Sequence, residues 1–311
     1  MKILVMGATG FLGKRVEKRL KEEGLPFISA SRSLGTDFRK PEEFEALFKE
    51  NSDTTHIFNC ATFIGGIQFG LEHTGEIYYN NSLINTYMFE MARKYKIQRI
   101  VNPISNCSYP RDVKGSFTEK EWWNGELDQS VMVYGFIRKG SWVQSWAYNN
   151  QYGLETINLV VPNMYGPNDH FDEVRSHALG ALIMKIVNAK KKRMPDVVVW
   201  GTGKPVREWL YIDDCVEAMM RAIKVEYFAY PVNIGIGSGV SIKELAEMIK
   251  REAGYEGALV FDATKPDGAP HKVMDISLCK ETFGWIPQTM LQEGIAKTVR
   301  WYIRKTDPAP I

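Results

Sequence analysis

A glycine-rich turn near the N-terminus has the residue types and spacing of a phosphate-binding loop. Gly7, Gly10 and Gly13 lie between an apolar run, Ile3–Met6, and an amphipathic stretch that begins at Phe11. Between a strand and a helix, such glycines permit a tight turn, a close approach to a pyrophosphate and close helix–strand packing. The helix N-terminus adds free N–H groups and a partial positive charge. The residues expected to contact a dinucleotide are Gly7, Thr9, Gly10, Phe11, Leu12 and Gly13.

The end of the second expected strand bears on which dinucleotide binds. Ser31-Arg32-Ser33 stands where an acidic residue would bind the ribose diol of NAD, and the nearest acid is Asp37. An arginine beside two hydroxyls suits a 2′-phosphate. We therefore expect NADP, with NAD as the alternative. Arg32, Asp37 and Ala61 are the further candidate cofactor-binding residues.

Apolar runs alternate with amphipathic stretches through the first half of the chain. The expected strands are Ile3–Met6, Phe27–Ala30, His56–Asn59, Arg99–Val101 and Thr156–Val161. The expected helices are Phe11–Glu23, Glu42–Lys49, Tyr78–Tyr95 and Val133–Asn150. This alternation is typical of a parallel sheet covered by helices. We therefore expect an α/β fold, with a Rossmann doubly wound parallel sheet.

The pattern changes after Pro162, where strands become isolated and Gly and Pro become frequent. The expected strands there are Val197–Trp200, Val232–Ile234 and Ala258–Phe261, and the expected helices are Ala178–Ala189, Ile242–Glu252 and Gly294–Arg304. This irregular order indicates a smaller C-terminal α+β lobe that binds substrate across a cleft. The predicted domains are residues 1–165 with a return segment 208–226, and residues 166–207 with 227–311.

The overall composition is that of an ordinary globular protein. Of the 311 residues, 44% are hydrophobic and 24% are charged, and the net charge of +2 does not suggest a nucleic-acid or membrane partner. The four cysteines lack the spacing of a redox or zinc motif, so we expect no metal. No apolar run reaches the roughly 18 residues of a membrane span, and Met1 leads straight into a strand. We expect a reduced, cytoplasmic protein.

Further motifs extend along the chain. They are Gly65-Gly66-Ile67, Ser105-Asn106-Cys107-Ser108-Tyr109-Pro110, Asn163-Met164-Tyr165-Gly166-Pro167, Ser176-His177, VVVWGTGKPVREWLYIDD at 197–214, and KPDGAPHK at 265–272. With the glycine loop they resemble the extended short-chain dehydrogenase/reductase family, and within it the GDP-L-fucose synthases, over nearly the whole chain. The resemblance implies an NADP-dependent 3,5-epimerase/4-reductase of a GDP-linked 4-keto-6-deoxy sugar. It also implies a homodimer built on the two long helices, Tyr78–Tyr95 and Val133–Asn150.

The resemblance implies two sets of catalytic residues. In reduction of the 4-keto group, Tyr134 matches the family's proton donor and Ser105 the hydroxyl that binds the same oxygen. In epimerisation at C3 and C5, Cys107 and His177 match the family's base and acid. Since a thiolate acts as a base only in a favourable electrostatic environment, we expect Cys107 in an electropositive, partly exposed place.

Binding of a nucleotide sugar also needs groups that neutralise the pyrophosphate and hold the base. Arg207 is the best diphosphate ligand, because its guanidinium fork suits phosphate oxygens, and Lys185 is expected to assist. Asn163 and Trp200 are expected to line the nucleotide pocket, and Asp267 lies in the loop expected to close it.

The sequence departs from the family at the fourth residue after Tyr134. The family has Tyr-x-x-x-Lys, whereas this chain has Arg138, and Lys139 follows one place later. One helical residue turns a side chain by about 100°, so Lys139 should point elsewhere. Arg138 keeps the positive charge and is expected both to assist Tyr134 and to hold the cofactor's ribose. Its larger planar head makes the replacement non-conservative.

Several alternatives stay open. Arg138 substitutes fully for lysine, which we favour, or catalysis is slower, or the chain binds sugar nucleotides without reacting with them. An NAD(P)-dependent nucleotide-sugar 4-epimerase without net redox and a 4-ketoreductase of another sugar are rival enzymes. Trp122 and Trp123 match no family motif and either stack on a ring or anchor a surface loop.

Overall fold

A computed structural model describes residues 1–172, 176–265 and 267–307 of the chain. The strands are β1 Ile3–Met6, β2 Phe27–Ala30, β3 His56–Asn59, β4 Arg99–Ser105, β5 Glu155–Val161, β6 Asn163–Tyr165, β7 Asp196–Trp200, β8 Val206–Arg207, β9 Trp209–Tyr211, β10 Val232–Asn233, β11 Val240–Ser241, β12 Ala258–Asp262 and β13 His271–Lys272. The helices are α1 Phe11–Glu22, α2 Pro41–Glu50, α3 Ile67–Glu72, α4 Thr74–Lys94, α5 Met132–Tyr152, α6 Ala178–Lys191, α7 Ile212–Ala222, α8 Ile242–Ala253, α9 Ser277–Phe283 and α10 Leu291–Thr306. Every expected strand and helix forms, and most of them end within a few residues of the expected bounds.

The central sheet contains six parallel strands in the order β10-β5-β4-β3-β1-β2. The chain places β2 on one side of β1 and β3 on the other. The carboxyl ends of β1 and β3 therefore flank the switch point at which open α/β sheets bind ligands. The predicted doubly wound parallel sheet is confirmed.

Hydrophobic clusters cover both faces of this sheet. Successive strand residues point to opposite faces. Ile3 and Val5 pack in a cluster that includes side chains of α1 and α7. Leu4 and Met6 pack in a second cluster, with side chains of α2 and α4. Parallel sheets require this cover on both faces, which explains why the strands read as continuous apolar runs.

Buried amide side chains connect three strands of the sheet to α5. Asn59 Nδ2 donates to Asn102 Oδ1, and Asn102 Nδ2 donates to Asn158 Oδ1, both at 2.9 Å. Asn102 Nδ2 also donates to Ser141 Oγ at 3.1 Å, and Asn158 Nδ2 donates to Ser145 Oγ at 3.0 Å. A buried amide that loses its partner is costly, so this network fixes the register of α5 against the sheet.

Outside the central sheet the chain forms three smaller sheets. They are the pair β12-β7, the triplet β11-β8-β13 and the pair β6-β9. Strand β10, however, pairs in parallel with β5, with Val232 opposite Leu159. It thus lies in the central sheet, although the predicted boundary assigned all of 227–311 to the C-terminal lobe. A two-residue strand has too short a pattern to reveal its partner from sequence.

Candidate active site

The glycine loop joins β1 to α1 beside the end of β3. Gly7 has φ +76°, and a Cβ there would lie 2.7 Å from the backbone carbonyl of Cys60. A Cβ on Gly13 would overlap the carbonyl oxygen of Gly7. Gly10 is the N-cap of α1 and has no side chain to cap it. The loop therefore presents uncapped helix N–H groups at a point where the backbone leaves no room for side chains.

A cluster of hydroxyls lies beside the glycine loop at the end of β2. Thr9 Oγ1 donates to Ser31 Oγ at 3.1 Å, and Ser33 Oγ lies 2.9 Å from Thr9 Oγ1 and 3.1 Å from Ser31 Oγ. Arg32 is exposed and begins a short 3₁₀ turn next to them. The predicted residues Thr9 and Arg32 are thus brought together.

Asp37 is engaged by a residue that the sequence analysis did not identify. Arg39 Nε donates to Asp37 Oδ1 at 2.8 Å, and Arg39 Nη1 donates to Asn80 Oδ1 at 2.6 Å. The hydrogen bonds and charge of Arg39 lower the pKa of Asp37 to about 2. The carboxylate is therefore ionised but paired with a guanidinium rather than free to face a ribose.

Leu12, Phe11 and Ala61, the other predicted cofactor residues, present different groups to a ligand. The side chain of Leu12 packs in the core, so only its backbone can face a ligand, and Phe11 packs against the same cluster. Ala61 follows β3, and its N–H donates to Asn59 Oδ1 at 3.1 Å. The buried amide network therefore also holds the loop after β3.

Tyr134 and Arg138 meet one turn apart on α5, as their spacing predicts. Arg138 Nη2 donates to the Tyr134 hydroxyl at 2.9 Å, and Arg138 Cζ lies 4.7 Å from the centre of the Tyr134 ring. The same Nη2 donates to Thr62 Oγ1. Arg138 is 3% exposed, and its Nε is buried without a hydrogen-bond partner.

Lys139 points away from this pair, as the helical geometry predicts. Its Nζ lies 4.7 Å from the centre of the Trp123 ring and 5.9 Å from that of Trp122, and burial lowers its pKa. Trp122 is buried and its Nε1 donates to Ser108 Oγ at 2.7 Å. Trp122 thus anchors the segment that contains Ser108, whereas Trp123 is largely exposed.

The segment after β4 brings Ser105 and Cys107 against α5. Ser105 Oγ accepts a hydrogen bond from Cys107 N at 3.1 Å and caps the short turn Asn106–Ser108. A Cβ on Gly135 would lie 3.0 Å from the carbonyl carbon of Cys107 and still closer to its oxygen. Because Gly135 directly follows Tyr134, this contact sets the position of Tyr134 relative to Cys107.

His177 is the N-cap of α6. The residue is open to solvent, yet the surrounding protein and the neighbouring His170 lower its pKa. Asp169 is buried, and its Oδ1 accepts a hydrogen bond from His170 N at 2.7 Å. Burial raises the pKa of Asp169 to about 7.

Arg207 lies close enough to Cys107, Asp128 and Asp267 to interact with them electrostatically, while its partial burial lowers its pKa. Its Nη2 donates to the carbonyl of Asp267 at 3.2 Å. The adjacent Glu208 is fully buried, and its carboxylate accepts hydrogen bonds from three backbone N–H groups, those of Ile236, Gly237 and Met274. Glu208, which the sequence analysis missed, therefore fixes the strand that carries Arg207.

Trp200 is 56% exposed and is not part of the core. The ammonium groups of Lys185 and Lys265 lie 5.2 Å and 5.4 Å from the centre of a Trp200 ring. Asp267 Oδ2 accepts a hydrogen bond from Thr202 Oγ1 at 2.7 Å. Asn163, in β6, donates to the carbonyl of Glu208 at 3.4 Å. An exposed indole between two lysines is a surface on which a base and a phosphate could both bind.

Comparison with known proteins assigns the chain to a family. The model of the NAD dependent epimerase/dehydratase family matches residues 3–235. The chain belongs to this family. The predicted resemblance to the extended short-chain dehydrogenase/reductases is thereby confirmed, and the chain is an enzyme of the nucleotide-sugar epimerase/reductase type.

Individual relatives align over almost the full length. GDP-L-fucose synthase 1 of Arabidopsis thaliana is 31% identical over 303 residues, which are 97% of this chain and 93% of the relative. A GDP-6-OMe-4-keto-L-xylo-heptose reductase from C. jejuni has a TM-score of 0.92 at 25% identity, with 98% of both chains covered. A GDP-mannoheptose C4 reductase from Campylobacter jejuni, with NADP bound, has a TM-score of 0.88 at 25% identity over 97% of this chain and 98% of the other.

The described residues contain neither a membrane-spanning helix nor a cluster of metal ligands. Within 1–172, 176–265 and 267–307, no helix is long and apolar enough to cross a membrane. Over the same ranges, no group of three or more His, Cys, Asp or Glu side chains is placed to hold a metal ion.

Proposed function

We propose that this enzyme is an NADP-dependent 3,5-epimerase/4-reductase of a GDP-linked 4-keto-6-deoxy sugar. The observation that carries the proposal is the partly buried hydrogen bond from Arg138 Nη2 to the Tyr134 hydroxyl, 2.9 Å long. It supplies the tyrosine with a fixed positive charge despite the absence of the usual lysine. The relatives, which include a GDP-L-fucose synthase and GDP-heptose reductases, support a GDP-sugar as substrate.

The residues present fit a dinucleotide. The glycine loop forms a cradle that a Cβ on Gly7 or Gly13 would fill, and the uncapped N-terminus of α1 faces it. When bound, the reduced nicotinamide would supply the hydride to C4. In this proposal Tyr134 gives its proton to the resulting alkoxide, Ser105 donates a hydrogen bond to the same oxygen, and Arg138 stabilises the phenolate that remains.

The proposal favours NADP over NAD because of the groups beside the glycine loop. The hydroxyls of Thr9, Ser31 and Ser33 lie within 3.1 Å of one another, and the exposed Arg32 follows Ser31. These groups would hold a 2′-phosphate. Asp37 would not repel it strongly, since Arg39 neutralises its charge. The bound NADP in the C. jejuni C4 reductase supports this choice.

For epimerisation we assign Cys107 as the base and His177 as the acid. The guanidinium of Arg207 is near enough to interact with a negative charge on Cys107. Together with the partial exposure of Cys107, this supports its assignment as the base. The lowered pKa of His177 makes its imidazolium a stronger acid, which suits donation of a proton to a sugar carbon.

For the nucleotide we assign Arg207 to the diphosphate and Trp200 to the base, with Lys185, Asn163 and Asp267 around them. Lys185 lies over the Trp200 indole, which is accessible for stacking, and Arg207 donates to the carbonyl of Asp267. We accordingly propose two lobes, the first including 208–234 because β10 belongs to its sheet. The cleft between them would hold the sugar.

We also propose that the chain forms a homodimer through α4 and α5. Both helices expose large apolar side chains, including Tyr78, Tyr79, Phe136, Val143 and Trp146. Tyr78 of α4 stacks on Phe136 of α5, with ring centres 6.5 Å apart. Such an exposed apolar face is typical of a protein interface.

The test is incubation with NADPH and GDP-4-keto-6-deoxymannose in deuterated water, comparing the wild type with Cys107→Ser. The wild type should consume one NADPH per sugar and incorporate deuterium at C3 and C5. Cys107→Ser should lose the exchange. NADPH consumption without exchange in the wild type would make the enzyme a 4-ketoreductase only. If the cofactor is reduced and reoxidised within each turnover, so that no NADPH is consumed overall, the enzyme would be a 4-epimerase.

A further inference from the structure

The guanidinium of Arg138 has a second hydrogen-bond partner, Thr62, on the loop after β3. The nitrogen that donates to Tyr134, Nη2, also donates to Thr62 Oγ1, and Nε has no partner. The Thr62 oxygen lies 3.4 Å from the Tyr134 hydroxyl. Tyr134, Thr62 and one guanidinium nitrogen thus form a three-membered polar cluster.

The proton of the Thr62 hydroxyl is committed to Asn81, a buried residue of α4. Thr62 Oγ1 donates to Asn81 Oδ1 at 3.1 Å. The amide cannot be reversed, because Asn81 Nδ2 donates to the carbonyls of Phe63 and Ile77, both at 2.8 Å. Asn81 Oδ1 also accepts from Phe63 N at 2.9 Å. A reversed amide would set a donor against this backbone N–H.

Asn81 therefore determines which groups of the cluster donate hydrogen bonds and which accept them. Since Thr62 has one proton and gives it to Asn81, its lone pairs face Arg138 and Tyr134. Arginine stays protonated and always needs acceptors, so the Thr62 oxygen holds the guanidinium at the phenol. A lysine ammonium is a compact point charge, whereas this long planar head needs such a second anchor.

We infer that Thr62 is a positioning residue for the proposed reduction, and that it adapts the site to an arginine in place of the family's lysine. Thr62 acts through Arg138, and Asn81 orients Thr62. The inference rests on the proposed function, because it concerns the proton donor of that reaction.

The experiment compares Thr62→Val with Thr62→Ser in NADPH-dependent reduction of GDP-4-keto-6-deoxymannose. Valine has nearly the shape of threonine but offers no lone pair, whereas serine keeps the hydroxyl. Asn81 Oδ1 would still accept from Phe63 N, so the valine variant should still fold. Displacing a catalytic group by about 1 Å costs about 100-fold, so kcat for Thr62→Val should fall by about 10- to 100-fold.

The loss in Thr62→Val should appear in kcat and not in KM. The KM values for NADPH and sugar should stay nearly constant, and the solvent deuterium isotope effect on kcat should rise, because proton donation becomes slower. Thr62→Ser should restore kcat. If Thr62→Val retains wild-type kcat, or if Ser fails to rescue it, the role of Thr62 is overturned. Tyr134→Phe, measured in parallel, tests the proposed reduction by itself: full activity there would overturn that proposal and the role of Thr62 with it.

Discussion

Replacing Gly135 by alanine tests whether the contact between α5 and the Cys107 segment positions Tyr134. The added Cβ would lie 3.0 Å from the Cys107 carbonyl carbon and closer still to its oxygen. Carbon contacts are favourable near 3.5–4.0 Å, so α5 must retreat by about 1 Å. Gly135 adjoins Tyr134, and a misplacement of that size costs about 100-fold in rate. We expect kcat for ketosugar reduction to fall by this order.

The stability change should be much smaller than the loss of activity. Overpacking costs about 1–3 kcal/mol, while alanine is favoured over glycine in a helix by about 1 kcal/mol. The net destabilisation is therefore about 0–2 kcal/mol, and the variant should fold.

Gly140→Ala, on the same helix, is the matched control for this variant. Its Cβ would meet no atom within 4 Å, so it should retain activity and be slightly more stable. The assays are steady-state NADPH oxidation, thermal unfolding and, because α5 is also the proposed dimer face, mass in solution. Equal kcat values for Gly135→Ala and wild type would refute this account of how Tyr134 is placed.

Three further predictions concern the cofactor, pH and assembly. Arg32→Ala should raise the KM for NADPH by about tenfold and leave that for NADH unchanged, since one charge-assisted contact to a 2′-phosphate is lost; parallel changes for both cofactors would argue against the 2′-phosphate site. Burial raises the pKa of Asp169 to about 7, so the folded chain keeps a proton that the unfolded chain releases above about pH 4. The unfolding free energy, measured by urea titration, should therefore decrease as the pH rises from about 4 to about 7. Asp169→Asn should remove that decrease, and identical pH profiles for the variant and the wild type would contradict the prediction. Trp146→Glu should dissociate the proposed dimer in sedimentation, whereas Met290→Glu, at another exposed site, should not; an unchanged mass for Trp146→Glu would exclude this face.

Local signals in the sequence predicted the fold and much of the candidate site. The glycine loop stands between a strand and a helix that both read clearly, and the spacing of Tyr134 and Arg138 already places them on one helical face. The direction of Lys139 followed from helix geometry alone. These inferences need only residues that are close in the sequence.

The missed residues act over long distances in the sequence. Thr62 contacts Arg138 from 76 residues away, and its importance depends on the unusual arginine that it holds. Asn59, Asn102 and Asn158 did leave a signal, because each is a polar residue within an apolar strand. Their partners could be recognised only once the strand order placed them side by side.

The most direct test of the central claim follows the hydride itself. GDP-4-keto-6-deoxymannose would be incubated with NADPH deuterated at C4 of the nicotinamide, and the product examined by NMR and mass spectrometry. The account predicts one deuterium per sugar, bound at C4, in the wild type and almost none with Tyr134→Phe. A product without deuterium at C4, or equal transfer by Tyr134→Phe, would contradict it.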